Sequence, residues 1–463
     1  MAEKHLLLTL SCLVVSCSVG PNYTTPEFYN NAALKQELSL QKSHNISEKW
    51  YKSFADEQLN LLIEQGLKNN TDIDAAVARL HQARAIQKIN KVAFWPQIGG
   101  RGGYTYEKNS KNIGPTADTD YYSVGFDASW EIDLWGKGRR NDEASAAQVK
   151  MAEYSLNNVR VSVVAEIALN YINLKLSEEK LRIARQNLRL QRDIFSTVKA
   201  KYQSGLSDDI AYNQAEYLLS TTEAQIPTYQ TEIESYKNAL SVLSGVLPSG
   251  LPLNSEKSPI FNAGYEYNTS ALYNLPADVV RSRPDVAAAE QNLIAQNALI
   301  GVAVADLYPN ISVTALWGYA AGGGNSLFNS KSQGYNYEPL VTLPLLDWNR
   351  LQNKIEQQKE VKKEALAQYK KSVLNAVSEL KNSMIAVQNE LKSNQAQNRA
   401  LIKMSRVVEA TANRYQSGLI DFSELLQAEQ NLLSAQNDSL ESRARIFRNL
   451  VAYYKAGGGG YRL

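Results

Sequence analysis

The side chains that most often carry out catalysis or bind metal ions are scarce in this sequence. Its 463 residues include three histidines, His5, His44 and His81, and two cysteines, Cys12 and Cys17. No group of them has the spacing of metal ligands. With so few histidines, a nucleophile activated by a histidine base is equally hard to assemble. The sequence therefore predicts no enzyme, no metal site and no cofactor.

The exception is Cys17, whose surroundings predict a covalent modification. A largely apolar stretch covers residues 6–15, and Val14-Val15-Ser16-Cys17 resembles the bacterial lipobox, in which the cysteine is acylated and becomes the mature N-terminus. We therefore expect a signal peptide at 1–16, acylation of Cys17, and a lipidated N-terminal segment at 17–47. The alternative is an ordinary secretory signal with an incidental cysteine. Ser18 follows the cysteine, which suits onward transport to the outer membrane.

Composition narrows the remaining classes of protein. The chain is 44% hydrophobic and 21% charged, and its net charge of +2 argues against a dedicated nucleic-acid surface. No run of 18 or more apolar residues follows the N-terminal stretch, so no transmembrane helix is expected. A role in a membrane must therefore depend on β-strands or on an attached lipid.

The sequence contains one long internal duplication. The five residues that begin at Tyr202 recur identically from Tyr415, at an offset of 213 (415 − 202). The same offset relates Asp72 to Asp285, Pro96 to Pro309, Trp135 to Trp348, and Glu166 to Glu379. Two copies of one large unit explain this better than an array of short repeats. We place the copies at 48–245 and 261–458, with a linker at 246–260 and a C-terminal tail at 459–463.

Each copy has regions that alternate between apolar and polar residues, as β-strands do. The alternation is regular over residues 122–134 and is repeated over 311–319. Weaker strands are expected near 97–107 and 335–346. Each chain therefore has four predicted strands, and the intervening loops at 108–120 and 321–334 are rich in Gly, Asn and Ser.

Helices account for most of each copy. A helical pattern opens each copy and ends at Trp95-Pro96 or Tyr308-Pro309, because proline disfavours a helical conformation in the residue before it. Residues 140–201 and 349–416 lack proline and glycine, and a helix of that length spans roughly 90 Å. Return helices are expected at 208–244 and 421–455, with Gly205 and Gly418 in the left-handed conformation that ends the long helices.

Four strands cannot close into a barrel, and a free-standing sheet would leave its edges unpaired. Strands of about eleven residues with one apolar face are typical of transmembrane barrels, which need at least about eight strands. Three chains would supply twelve strands, whereas two would make a barrel with little lumen. We therefore expect a mainly helical fold with a shared barrel and a helical coiled-coil tube. The alternative is a soluble coiled-coil protein whose strands form a small cap.

One motif resembles a known family. It consists of residues 275–278, then Arg281–Val286, Gly301–Ala303 and Pro309. These residues resemble the outer-membrane factor family, which contains the TolC-like channels, and in particular the OprM-like lipoproteins of tripartite efflux systems. Gly20-Pro21-Asn22-Tyr23 after Cys17 looks like that family's lipidated start, and the glycines after Lys455 look like its C-terminal end.

The resemblance implies a homotrimer in the outer membrane, with four strands per chain in a 12-stranded barrel and a helical barrel closed at its periplasmic tip. It also implies a passive channel that exports small molecules such as drugs or metal ions, with a periplasmic adaptor and an inner-membrane pump (RND-type) as partners. The residues expected at the tip, for adaptor docking or gating, are Tyr202, Gly205, Leu206, Asp208, Tyr415, Gly418, Leu419, Asp421, Glu424 and Gln427.

The tip departs from the family pattern at two positions. OprM-like proteins often carry an aspartate after two leucines, where this chain has Gln427, and some members place a basic residue where Ile420 stands. Three-fold symmetry would bring Asp421 and Glu424 into acidic rings, which attract cations. The alternative is that Asp208, Asp209 and Asp421 only cap helices.

The rest of the family motif predicts structure rather than chemistry. We expect Arg283, Pro284, Asp285 and Val286 to start a helix, because proline suits the first helical turn. Two other functions are consistent with the same sequence. One is a type I channel that secretes proteins, and the other is a structural envelope lipoprotein that is not a channel.

Overall fold

The computed structural model describes residues 18–26, 47–108, 119–251 and 279–460, together with residues 110, 112, 253, 258–262, 265 and 267. The predicted signal peptide at 1–16, Cys17, and residues 275–278 of the family motif lie outside the described residues. Within the described ranges, no helix is both long enough and apolar enough to cross a membrane.

The described elements follow the predicted order. The helices are α1 (Glu57–Asn69), α2 (Thr71–Val92), α3 (Lys137–Gln203), α4 (Asp209–Leu243), α5 (Val279–Ser282), α6 (Pro284–Ala305), α7 (Trp348–Gln416) and α8 (Phe422–Ala456). The strands are β1 (Gln97–Glu107), β2 (Thr119–Ile132), β3 (Asn310–Ala321) and β4 (Gln333–Thr342). Each strand overlaps the region where alternation predicts it, and the two long helices have the predicted return helices.

The first long helix begins earlier than the lack of glycine predicts. It starts at Lys137 and includes Gly138 in its first turn. The carboxylate of Asp133 accepts hydrogen bonds from the backbone N–H of Gly138 and of Arg139, both at 3.1 Å. These bonds satisfy donors that have no partner within the helix, so the first turn tolerates a glycine.

The helical pattern that opens the first copy is divided into two helices at Asn70. The Asn70 side-chain oxygen accepts the backbone N–H groups of Asp72 and Ile73, at 2.9 and 3.2 Å. Its amide nitrogen donates to the carbonyl of Leu243 at 2.9 Å. The buried Asn70 therefore ends α1, caps α2 and ties both to the end of α4. The apolar spacing runs through this junction without a break, so the pattern predicts a single helix there.

The four strands form one antiparallel sheet in the order β1-β2-β3-β4. The central pair, β2 and β3, comes from different copies of the duplication. Within the described residues, β1 and β4 each pair on one side only. A single chain therefore has an open sheet with two free edges.

The register places apolar residues opposite apolar residues. Phe126 lies opposite Trp317, and their rings stack at 6.2 Å between centroids. Tyr104 lies opposite Tyr122 at 4.9 Å, and Ile132 lies opposite Ile311. The other face carries Ser123, Asp127, Ser129, Glu131, Ser312, Thr314, Asn336 and Glu338. The large apolar side chains are exposed in the single chain, where a soluble sheet would cover them.

The chain divides into two compact units, and each takes residues from both copies. The first unit contains the sheet, with Ala78–Glu153 and Ala287–Lys371. The second contains Tyr154–Val286 and Ser372–Leu463. Its core includes an aromatic cluster in which Trp50 stacks on Tyr454 at 4.8 Å and Phe54 meets Phe447 at 5.2 Å.

Candidate tip and anchor sites

The two turns that end the long helices have the same backbone geometry. Gly205 and Gly418 both have φ of +72°, in the left-handed region. In the first turn the N–H of Gly205 donates to Tyr202 at 3.0 Å, and that of Leu206 donates to Lys201 at 2.8 Å. The second turn repeats both bonds, from Gly418 to Tyr415 at 3.0 Å and from Leu419 to Arg414 at 2.9 Å. Both turns are Schellman motifs, which satisfy the last carbonyls of a helix.

Both turns present an exposed leucine. Leu206 is 79% exposed and Leu419 is 70% exposed. A Cβ atom added at Gly205 or Gly418 would meet nothing within 4 Å. Both turns are therefore surrounded by open space, and a partner protein could contact their leucines.

The aspartates after the turns differ in their contacts. The Asp208 carboxylate accepts the N–H of Ala211 at 2.8 Å and so caps α4. Asp421 occupies the equivalent position before α8, but its side chain accepts no capping hydrogen bond. The residue equivalent to Ala211 is Glu424. Capping therefore accounts for Asp208 and leaves the carboxylate of Asp421 exposed.

The start of α8 separates its charged side chains from its apolar ones. Asp421, Glu424 and Gln427 are exposed and recur every three residues, so they share one face. Phe422, Leu425, Leu426 and Ala428 are buried. The Gln427 amide donates to Asn431 at 3.1 Å. The exposed face therefore presents two carboxylates and one neutral amide, while the two leucines before Gln427 are core residues.

A small apolar core joins the helix ends of both turns. Its buried members are Val198 of α3, Ala215 and Leu218 of α4, and Phe422, Leu425 and Leu426 of α8. Tyr415 of α7 packs against this core, 5.6 Å from the ring of Phe422. One cluster thus joins the helices on either side of both turns, and Tyr415 is the predicted tip residue that packs against it.

Two aromatic contacts were not predicted from the sequence. Tyr202 stacks on Tyr212 with 5.0 Å between ring centroids. The ammonium of Lys201 lies 4.7 Å from the ring centroid of Tyr415, which links the two turns by a cation–π contact. The only sequence signal for the second contact is a basic residue before each repeated tyrosine, Lys201 and Arg414.

Glu429 of α8 is a half-buried carboxylate near the tip. Burial raises the pKa of the Glu429 carboxyl above its ordinary value. Its repeat counterpart, Glu216, is exposed. The duplicated Gln-Ala-Glu sequence thus has two environments.

The Arg283–Val286 motif lies at a buried junction and not at the tip. Arg283 donates two hydrogen bonds to Asp285, at 3.0 and 2.8 Å, one to Glu379 at 2.8 Å and one to the carbonyl of Ala456 at 2.9 Å. Burial alone would lower the pKa of the Arg283 guanidinium, but the two carboxylates outweigh burial and raise it. Helix α6 begins at Pro284. These contacts describe a structural junction.

The described residues contain no group of three or more His, Cys, Asp or Glu side chains that could hold a metal ion. The tip is therefore characterised by exposed leucines, carboxylates and aromatic contacts. Such a surface can bind a partner or influence the passage of ions.

Comparison with known proteins connects this geometry to a family. A family model described as outer membrane efflux protein matches residues 62–246 and 275–459. Both ends of the two matches differ by 213 (275 − 62 and 459 − 246), which is the offset of the internal duplication. The two matched ranges are therefore related by the same offset as the repeated residues.

Individual proteins agree with this match along the whole chain. The chain is 27% identical to the cation efflux system protein CusC of Escherichia coli O6:H1, over 99% of both chains. It is 26% identical to the toluene efflux pump outer membrane protein TtgF of Pseudomonas putida, over 100% of this chain and 98% of that one. The structure of the outer-membrane channel OprN superposes with a TM-score of 0.88 at 28% identity, covering 96% of this chain and 100% of that chain.

These matches confirm the predicted TolC-like fold and the predicted function as an outer-membrane efflux channel. The chain belongs to the outer membrane efflux protein family.

Proposed function

We propose that three copies of this chain form a passive duct that carries small molecules such as drugs or metal ions from the periplasm to the exterior. The observation that carries the proposal is the sheet, which has two free edges and an exposed apolar face. Pairing β1 of each chain with β4 of the next chain would close a barrel of twelve strands and leave no free edge. The apolar face would contact lipid and the polar face would line water.

The polar face of the sheet also bears on the kind of solute and on the source of energy. The polar face of the sheet is lined with hydroxyl, amide and carboxylate groups, which suits transit rather than tight binding. A solute must leave the duct as readily as it enters, so energy has to come from an inner-membrane pump. A periplasmic adaptor would bind the exposed turn leucines, Leu206 and Leu419. The names of the relatives, which include a cation and a toluene system, support a small-molecule cargo.

Trimer closure can be tested by cross-linking the sheet edges. Cleavage before Cys17 would remove Cys12, and acylation would block Cys17, so introduced cysteines would be the reactive ones. Tyr104→Cys on β1, combined in turn with Tyr335→Cys and Tyr337→Cys on β4, should give a ladder that ends at a covalent trimer. Ladders that end at a dimer or extend past a trimer would contradict the proposal. Each single substitution is the matched control and should give no ladder.

We also assign the gate to the second turn rather than the first. Asp421 and Glu424 are exposed on one face and Asp421 makes no cap, whereas the Asp208 carboxylate is already occupied as a cap. Three copies would give two acidic rings, which favour cations over anions. Replacing both residues by alanine should shift the reversal potential in a salt gradient toward that of an unselective pore. Asp209→Ala in the first hairpin is the control, and an equal shift there would contradict the assignment.

We propose that the mature chain is anchored in the outer membrane by acyl groups on Cys17. The support is the lipobox-like sequence, together with the family's location in the outer membrane. Mass spectrometry of the protein from a Gram-negative host should show the chain beginning at Cys17 with a diacylglycerol and an amide-linked acyl group. A chain that begins elsewhere, or an unmodified cysteine, would contradict this anchor.

A further inference from the structure

The residues directly after Cys17 are held in a closely fitting slot of the sheet-containing unit. We refer to residues 18–23 as the N-terminal strap. The N–H of Val19 donates to the carbonyl of Trp135 at 3.1 Å, and the amide of Asn297 donates to the carbonyl of Pro21 at 2.9 Å. The Tyr23 hydroxyl donates to Glu290 at 3.1 Å. The strap is therefore bound along its length.

One arginine, Arg140, makes three hydrogen bonds with the strap. Arg140 is buried, with 5% of its surface exposed. Its guanidinium donates to the carbonyls of Val19 and Gly20, at 3.1 and 3.3 Å, and to the Asn22 side chain at 2.8 Å. Its remaining nitrogen donates to Glu143 at 2.7 Å. A buried guanidinium with four acceptors is costly to expose or to leave unpaired. Arg140 is thus committed to the strap.

Glycines let the backbones approach closely at the same place. A Cβ added at Gly20, whose φ is +89°, would lie 2.4 Å from the Cα of Gly301. A Cβ added at Gly301 would lie 2.7 Å from Arg140 and 2.9 Å from the carbonyl oxygen of Val19, and one at Gly136 would lie 2.8 Å from the Cα of Ser18. Any side chain at these positions would displace the strap or Arg140.

The duplication shows that the repeated fold does not require these residues. At the positions 213 residues away, Asn349 stands for Gly136, Asn353 for Arg140 and Lys88 for Gly301. All three counterparts are exposed. The slot is therefore an addition to one copy, and the feature that it serves is the strap.

The slot lies where the sheet meets the helices of its own unit. Trp135, which accepts the strap N–H, follows β2, and its indole donates to the carbonyl of Pro309, just before β3, at 2.8 Å. Its ring stacks on Tyr308 at 4.7 Å. Trp95, which precedes β1, is 72% exposed at the same end of the sheet. Tryptophan and tyrosine favour the membrane–water interface.

We propose that Arg140, Gly136 and Gly301 form a clamp that fixes the start of the mature chain at this end of the sheet, so that acyl groups on Cys17 enter the lipid beside Trp95 and Tyr308. Arg140 is a positioning residue that acts through the strap and makes no contact of its own with lipid. The inference rests on the proposed acylation of Cys17. In this arrangement, the end of the sheet that carries Trp95 and Tyr308 contacts the inner surface of the outer membrane.

The experiment measures the mobility and depth of the strap in the full-length, host-processed protein. A nitroxide label is attached through Thr24→Cys, an exposed position next to the strap. The purified protein is placed in phospholipid vesicles and its mass is checked for acylation. Electron paramagnetic resonance then reports the mobility of the label and its accessibility to oxygen and to a water-soluble nickel chelate.

The parent protein should give an immobilised label near the bilayer surface. Arg140→Ala should keep the acylated mass but free the label, with a severalfold rise in accessibility to the nickel chelate. Arg140→Lys should restore part of the order, and Asn22→Ala, which removes a single contact, should have a smaller effect without endangering the fold. Arg350→Ala is the matched control, because Arg350 is exposed and pairs with Asp347 in the first turn of α7.

A label that is mobile in the parent protein, or that stays immobilised in Arg140→Ala and Asn22→Ala, would overturn the clamp. A chain with no acyl mass would overturn the positioning of a lipid and the proposed anchor together. The channel proposal would survive that result, because trimer cross-linking is measured separately.

Discussion

The two turns at the tip share one backbone and differ in side-chain chemistry. Gly205 and Gly418 have the same φ and donate the same hydrogen bond. The aspartate after the first turn is used as a cap, whereas Asp421 after the second makes no cap and is followed by the exposed Glu424. Duplication has preserved the reversal of the chain, but of the two equivalent aspartates only Asp208 caps the helix that follows.

A second pair of equivalent positions, in the interior, also combines a shared backbone contact with different side chains. Asn70 and Arg283 are 213 residues apart, and both are buried. Asn70 donates to the carbonyl of Leu243, and Arg283 donates to the carbonyl of Ala456, each at 2.9 Å. These two acceptors are also 213 residues apart. An amide and a guanidinium therefore make the same backbone contact, but only the guanidinium recruits carboxylates.

The largest expected effect is at this interior pair. Arg283→Ala removes the charged donor that Asp285, Glu379 and a buried carbonyl share, so we expect the free energy of unfolding to fall by about 3 kcal/mol. Asn70→Ala removes a neutral cap and should cost roughly 1–2 kcal/mol. Denaturant unfolding in detergent measures both, with Arg399→Ala on the exposed face of α7 as the control. Equal losses at the two positions would show that the carboxylates contribute nothing.

The turn glycines should respond equally. Gly205→Ala and Gly418→Ala place a Cβ in a left-handed conformation with open space around it. The cost should therefore be backbone strain alone, about 1 kcal/mol in each case. Thermal unfolding of the two variants measures it. A difference of more than about 1 kcal/mol between them would mean that the turns are not equivalent in backbone energy.

The aspartates should respond unequally. Asp208→Ala removes the cap of α4 and should lower the free energy of unfolding by about 1 kcal/mol. Asp421→Ala removes no capping bond, so its effect should stay below about 0.5 kcal/mol. The same unfolding measurement decides between them. A loss at Asp421 as large as that at Asp208 would support capping as the role of both.

The smallest effect concerns the two glutamates of the repeated Gln-Ala-Glu sequence. Burial raises the pKa of Glu429 in the folded state, so the ionised form of Glu429 destabilises the folded chain. This loss of stability develops as the pH rises above the pKa that Glu429 has in the unfolded chain. Glu429→Gln should therefore give a small gain in stability at neutral pH that disappears in acid. Glu216→Gln, at the exposed counterpart, is the matched control in the same pH series. A loss of stability in Glu429→Gln at neutral pH would contradict the direction of the shift.

The sequence predicts the elements whose signals are local and repeated. Alternation identifies the strands, the absence of proline and glycine identifies the long helices, and the identical turn sequence identifies the positive-φ glycines. The same local reasoning explains its failures. Local reasoning predicts one helix across Asn70 because the apolar spacing is continuous there. It places the start of the long helix at residue 140, after the glycine, because the hydrogen bond from Gly138 to the Asp133 side chain is not visible in the sequence.

Features that depend on particular side-chain contacts of the folded chain could not be predicted. Asp208 and Asp421 look alike in sequence, and only the hydrogen bond to Ala211 separates them. The clamp on the strap joins Arg140 and Gly301 to residues more than a hundred positions away. The sequence predicts a structural role for the Arg283 motif, but its contacts with Glu379 and Ala456 are visible only in the folded chain. The predicted domain boundaries and the roles of the tip residues stay predictions.

Single-channel conductance of the purified protein in a planar bilayer is the decisive test of a gated duct. We expect a small and mostly closed conductance from a trimer. Joint replacement of Asp421 and Glu424 by alanine should widen it, and Asp209→Ala should leave it as in the parent protein. No conductance from any of the three proteins, with a monomeric or dimeric mass, would show that the chain does not form a gated duct.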